Sequence, residues 1–250
     1  FVPLLLLSVW GLSVLPPPDA ADEAARVRRA PMTGSEIRDF LRDYGLGIAL
    51  LVTIYVFVTA LRDFRDNFAA ELWTALGFSN PASVFTATEL VVAAVALVAM
   101  GIVVKVRSNT RALAVIHALI LAGLLLLVAS TLAGDAGLLG PLPWMIASGA
   151  GLYVVYTPFN VMLFDRLVAV SGRVANAGFQ IYVADAAGYA VSCALLLWRN
   201  FGMLHVEWLT VFRFAVYTTT LAGLVLVTLS LFYFNGRSRA AAAVPALSPS

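Results

Sequence analysis

Apolar residues along this chain come in long runs, separated by short polar stretches that hold most of the arginines. A helix needs about 20 apolar residues to cross a bilayer. After a first apolar stretch at 1–15, six runs meet that length: 45–61 (extending about a turn either way), 81–105, 112–133, 141–164, 174–198 and 208–235. No alternation of apolar and polar positions suggests barrel strands. The pattern predicts an all-α fold, a polytopic membrane helix bundle over 45–235. Residues 16–44 read as a polar linker with Pro16, Pro17 and Pro18 at its start. A short helix is expected near its end, where Thr33, Gly34 and Ser35 precede Glu36. Residues 236–250, rich in Ala, Pro and Ser, read as a disordered tail. The chain opens on Phe1 within an apolar run, so 1–15 is expected to be the end of a preceding transmembrane helix. A signal peptide is the rival reading, without the basic segment such peptides carry.

Charge placement adds an orientation. The linker, the loops at 105–111 and 165–173 and the tail hold Arg26, Arg28, Arg29, Arg38, Arg42, Lys105, Arg107, Arg111, Arg166, Arg173, Arg237 and Arg239. The alternate loops hold only Arg62, Arg65 and Arg199. By the positive-inside rule the linker and C-terminus are cytoplasmic, in a bacterial inner membrane. Trp73, Trp144, Trp198 and Trp208 fall at the opposite face, where an interfacial aromatic belt is expected.

Composition agrees. Hydrophobic residues make up 61% and charged residues 12%, against about half and a quarter in soluble domains. Cys193 is the single cysteine, and His117 and His205 lie on different elements. Intramolecular disulfides and cysteine metal sites are excluded; no metal, cofactor or nucleic-acid partner is expected. No enzymatic constellation emerges either. Ser148, between Ala147 and Gly149, lacks a histidine on a later facing helix, and the last span has no lysine for a retinal Schiff base.

Helical spacing then assigns faces. Tyr55, Thr59, Arg62 and Asp66 fall at i, i+4, i+7 and i+11, with Asp63 one step aside. They culminate in the run Arg62, Asp63, Phe64, Arg65, Asp66, Asn67. Charges at that depth are expensive, and they mark either snorkelling flanks or the wall of a wet cavity. Gly149, Tyr153, Tyr156 and Asn160 share a face of the 141–164 span. Tyr182, Asp185, Tyr189 and Ser192 share one on 174–198, where Ala184 and Gly188 form a small-residue packing pair. Asp185, near the midplane, is the candidate for proton or cation coupling. Glu89 and Arg213 lie at compatible depths for a buried charge pair. His117 is expected to be structural or interfacial.

One partial helix, a long cytoplasmic linker and six helices beginning and ending inside resemble the C-terminal half of a major facilitator superfamily transporter. That resemblance implies 3+3 inverted helices and a missing N-terminal six-helix half as partner. It also implies a substrate path lined by Tyr55, Thr59, Arg62, Asp63, Asp66, Tyr153, Tyr156 and Asn160. The superfamily's basic loop falls at Gly101, Lys105, Arg107 and Arg111, a cytoplasmic gate loop whose acidic residue is absent here. More closely, Pro31 to Gly34, the Arg62–Phe68 motif and Asn160, Leu163, Phe164, Asp165 and Arg166 resemble an uncharacterised bacterial family with no assigned substrate. The expected function is secondary transport of a small solute by alternating access, a free Arg62 suiting an anionic or zwitterionic one. The alternative is a transporter-like receptor or scaffold that does not transport.

Overall fold

The computed structural model describes residues 2–18, 20, 32–171, 176–202 and 207–242. Arg26, Arg28, Arg29, Pro31, Arg173, His205 and the tail beyond 242 lie outside the described residues. The chain divides into two compact units, Phe1–Ala30 and Pro31–Ser250. The first contains α1 (Val2–Ser13), 12 mostly apolar residues. That is about 18 Å of helix, short of a 30 Å hydrocarbon core.

The second unit is a helix bundle, with no strand among the described residues. Its first helix, α2 (Gly34–Asn67), starts at a capping box. The Thr33 side chain accepts from the Glu36 amide, and the Thr33 amide donates to the Glu36 carboxylate at 2.7 Å. The helix then runs unbroken for 34 residues. The expected short linker helix and first span are therefore one rod about 50 Å long, with its first turns projecting beyond a bilayer core. Gly45 and Gly47 do not interrupt it. Gly47 gives α9 (Trp208–Ala242) room to cross, and a Cβ there would stand 2.6 Å from the Phe234 ring. The expected disordered tail also shortens, because α9 stays helical through 236–242, with the Arg237 guanidinium 5.2 Å from the Tyr44 ring.

After α2 come a short α3 (Ala69–Ala75), α4 (Pro81–Val104) and α5 (Asn109–Asp135). Next is α6 (Pro141–Pro158), which passes through a π-helical turn, Phe159–Leu163, into α7 (Phe164–Ser171). Pro158 offers no amide hydrogen, so the backbone widens locally instead of breaking. α8 (Ala177–Phe201) and α9 complete the chain. Six of these rods, α6 and α7 counting as one, are long and apolar enough to cross a membrane. Their outward surface carries Leu90, Leu97, Phe214 and Leu221 at 70–72% exposure. Large side chains presented this way, on helices whose backbone bonds are satisfied internally, suit hydrocarbon as solvent. The protein is an integral membrane protein.

Inside the bundle, α5 lies along α6, α2 along both α8 and α9, α4 along α6, and α5 along α9; α2 also meets α6. The tryptophan belt holds only in part. Trp73 and Trp144 are buried in the core, Trp144 donating to Thr131 at 3.2 Å, whereas Trp198 stays exposed. The backbones approach closely at Gly123 and Gly151, where α5 crosses α6. A Cβ on Gly151 would fall 2.7 Å from the Gly123 carbonyl oxygen and 2.8 Å from the Leu127 nitrogen. Backbone cannot rotate aside as a side chain can, so Gly151→Ala is expected to separate the helices at a cost of about 1–3 kcal/mol. A thermal melt in detergent checks this: Gly151→Ala unfolds at lower temperature, while Gly101→Ala, with nothing near its added methyl, does not.

Candidate functional site

The charged run ending α2 does not snorkel outward. Its two arginines turn in different directions. Arg65 is 1% exposed and reaches between α4 and α6, where its Nη2 donates to Glu89 Oε1 at 2.6 Å and to the Met145 carbonyl at 3.3 Å. Its Nη1 donates to Asp66 Oδ1 at 3.3 Å. Gly149 makes this possible, since a Cβ there would sit 2.5 Å from Nη2. The glycine expected on a polar face of its span is the slot that receives a guanidinium.

Arg62 stays half-buried on the other side. Its Nε donates to Asp63 Oδ1 at 2.9 Å, and its guanidinium carbon lies 4.2 Å from the centre of the Tyr156 ring. Asp63 uses its second oxygen to accept from Ser192 of α8, and Asp66 accepts from Tyr153 of α6 at 2.6 Å. About two turns deeper than Arg62, the Tyr55 hydroxyl donates to Asp185 of α8 and accepts from Asn160 Nδ2 at 3.3 Å. Tyr55 also stacks on Tyr156, with centroids 5.6 Å apart. Tyr55, Arg62, Asp63, Asp66, Tyr153, Tyr156, Asn160 and Asp185 thus form one polar band along about 17 Å of α2. Asn160 opens it to the surface, held on the π-helical turn below Pro158.

Thr59 departs from this band. It is fully buried, packed where a Cβ on Gly188 would approach within 3.3 Å, and its hydroxyl has no partner. The small pair Ala184 and Gly188 lets α8 close over it, so Thr59 faces a helix instead of a path.

The Glu89–Arg213 pair is a second correction. Depth along a helix fixes level but not direction, and α4 packs on α6 whereas α9 packs on α2 and α5. Glu89 goes to Arg65. Arg213 goes to Asp135 at 2.9 Å, over the Trp144 ring, while Tyr217 donates to the same carboxylate at 2.6 Å. Sequence reading missed Arg65 as the central cation and Ser192 as a partner of Asp63; the glycine facing Arg65 was the available signal. His117 is fully buried between the Leu113 carbonyl at 2.8 Å and the Ser230 hydroxyl at 3.0 Å.

At the far end of the bundle Lys105, Arg107 and Arg111 are exposed around the α4–α5 turn. Beside them Arg166 of α7 donates to Asn109 Oδ1 at 2.6 Å. An amide thus takes an arginine in the loop that lacks the expected acidic residue. No group of three or more metal-ligating side chains occurs among the described residues.

The family model described as "Family of unknown function (DUF5690)" matches residues 1–237. The chain belongs to that family. No curated protein and no solved structure matches it. For this DUF5690 chain, then, the geometry carries the functional argument alone.

The pairing can be tested directly. A double-mutant cycle between Arg65 and Glu89 is expected to give a coupling of about 1 kcal/mol or more. The cycle between Glu89 and Arg213 should fall within about 0.5 kcal/mol of additivity. Detergent melts of the single and double variants measure both.

Proposed function

We propose that this chain is the C-terminal half of a facilitator-type secondary transporter, moving a small solute by alternating access. The polar band would lie on its path. One observation carries the reading: six ionisable side chains, Arg62, Arg65, Asp63, Asp66, Glu89 and Asp185, are gathered from α2, α4 and α8 around α6 inside an apolar bundle. Ionisable groups at such depth are costly, and they occur where a solute, ion or proton must pass. The packing supports a 3+3 arrangement. Exchanging α2, α4 and α5 with α6–α7, α8 and α9 turns the α2–α8 interface into α6–α4 and α2–α9 into α6–α5. The α2–α6 and α5–α9 interfaces map onto themselves. Inverted repeats produce this kind of symmetry, with the binding site between the repeats. The arginine count supports placing the C-terminus in the cytoplasm of a bacterial cell.

Charge decides what such a site favours. Arg62 is already held by Asp63, so the free cation that would suit an anionic solute is not on offer. Two guanidiniums face four carboxylates, an excess that draws protons or a cationic solute. Asp185, bonded to a tyrosine instead of an arginine, is the carboxylate best placed to exchange a proton as the helices move.

Cysteine accessibility distinguishes this reading from a receptor or scaffold whose charges are permanently saturated. In a Cys193→Ala background, Asn160→Cys and Tyr156→Cys are expected to react with a membrane-impermeant thiol reagent from one side. Asp185→Asn should shift that reactivity. Protection from both sides, unchanged by Asp185→Asn, would support the scaffold and remove the transport reading.

A further inference from the structure

A groove of about 430 Å³ opens between α2, α8 and α9, away from the polar band. Phe57, Leu61, Phe64, Val191, Leu195 and Phe214 give it apolar walls, and among the described residues its hydroxyls are those of Thr210, Thr218 and Thr219. It follows residues 57–64 of α2 and 191–198 of α8 outward and, in the reverse direction, 219–210 of α9. Eight to ten residues of helix rise about 12–15 Å, close to half of a 30 Å hydrocarbon core. The groove therefore spans one leaflet, and its mouth lies at the helix ends, where α8 finishes at Phe201 and α9 begins at Trp208.

A cation stands at that mouth. Arg199 follows Trp198 of the wall, and its guanidinium lies 3.6 Å over the Trp208 ring. Trp208 in turn packs against Phe64 and Phe68, with centroids 6.3 and 4.7 Å away. Arg199 Nε is shut from solvent without a hydrogen-bond acceptor, and among the described residues no carboxylate pairs with it. The other arginines at this end of the bundle, Arg62, Arg65 and Arg213, each have an acidic partner.

The geometry points to a phospholipid site, with one acyl chain lying along the groove and the lipid phosphate accepting from the Arg199 guanidinium. A phospholipid supplies both parts together: hydrocarbon for one leaflet's depth and an anion at the level of the indole rings. A helix from a second copy would fill the depth but would have to bring its own carboxylate to that level. The site depends only on the chain being embedded in a membrane, and it stands whether or not the bundle transports.

Native mass spectrometry of the full chain, released from detergent after titration with phosphatidylglycerol, tests the assignment. The wild-type chain is expected to retain one lipid. Ala215→Trp and Ala60→Phe, which fill the groove from α9 and from α2, should each lose it while keeping their elution profile. Arg199→Gln should weaken retention about tenfold, as loss of one charge-assisted contact does. Equal retention in wild type and both filling variants would mean unspecific surface lipid and overturn the site. A dimer mass that disappears with Ala215→Trp would assign the groove to a second copy and overturn it equally. Should both filling variants fail to fold, quenching of tryptophan fluorescence by dibrominated phosphatidylglycerol still decides. Part of the quenching is expected to vanish in Trp198→Phe, and unchanged quenching there refutes a lipid in this groove.

Discussion

A guanidinium with 1% of its surface exposed, inside a bundle whose outside is hydrocarbon-like, constrains much of what surrounds it. Removing Arg65 from water costs several kcal/mol, and only a carboxylate with additional hydrogen bonds offsets that in a low-dielectric interior. Glu89 must therefore come from α4, a carbonyl must be free at Met145 on α6, and Gly149 must lack a side chain. One residue thus sets the azimuth of three helices relative to each other. Arg65 is also a neighbour in sequence of Phe64 and Asp66, so its inward turn directs Asp66 to Tyr153 and leaves Arg62 and Asp63 on the α8 side.

The rest of the polar band uses weaker forces over a longer distance. Tyr55 links Asp185 to Asn160 by hydrogen bonds, and Tyr156 offers its face to both Arg62 and Tyr55. These contacts join α2, α6 and α8 through side chains that can exchange partners, unlike the backbone-to-backbone crossing of Gly123 and Gly151. The molecule therefore has a rigid seam between α5 and α6 and an adaptable one along the polar band. The π-helical turn at Phe159–Leu163 belongs to the adaptable part, since it carries Asn160 on a stretch already departing from regular α geometry.

Much of the site was legible because helical periodicity projects a stripe onto one face without knowledge of the partner helix. Tyr55, Arg62 and Asp66 on one rod, and Tyr153, Tyr156 and Asn160 on another, were grouped correctly by spacing alone. What spacing could not supply was rotation and neighbour identity. Thr59 shares the stripe's angle, yet Gly188 allows α8 to cover it. Glu89 and Arg213 share a depth, yet their helices pack on different partners. Opposite charges at equal depth are not sufficient evidence of a pair when each has an alternative nearby.

By itself the sequence determined the material of this protein. Six apolar runs, polar intervals rich in arginine and a low charge content leave a helical membrane bundle as the stable outcome, because backbone polar groups in hydrocarbon must be satisfied within each rod. The capping signal at Thr33 and Glu36 was local and so was readable too. Tertiary structure alone decided which charges meet, that the linker's last turns join the first span, and that two tryptophans expected at the interface are core residues. Those outcomes depend on close approaches, at Gly47, Gly149, Gly151 and Gly188, where the absence of a side chain matters only once a particular neighbour has arrived.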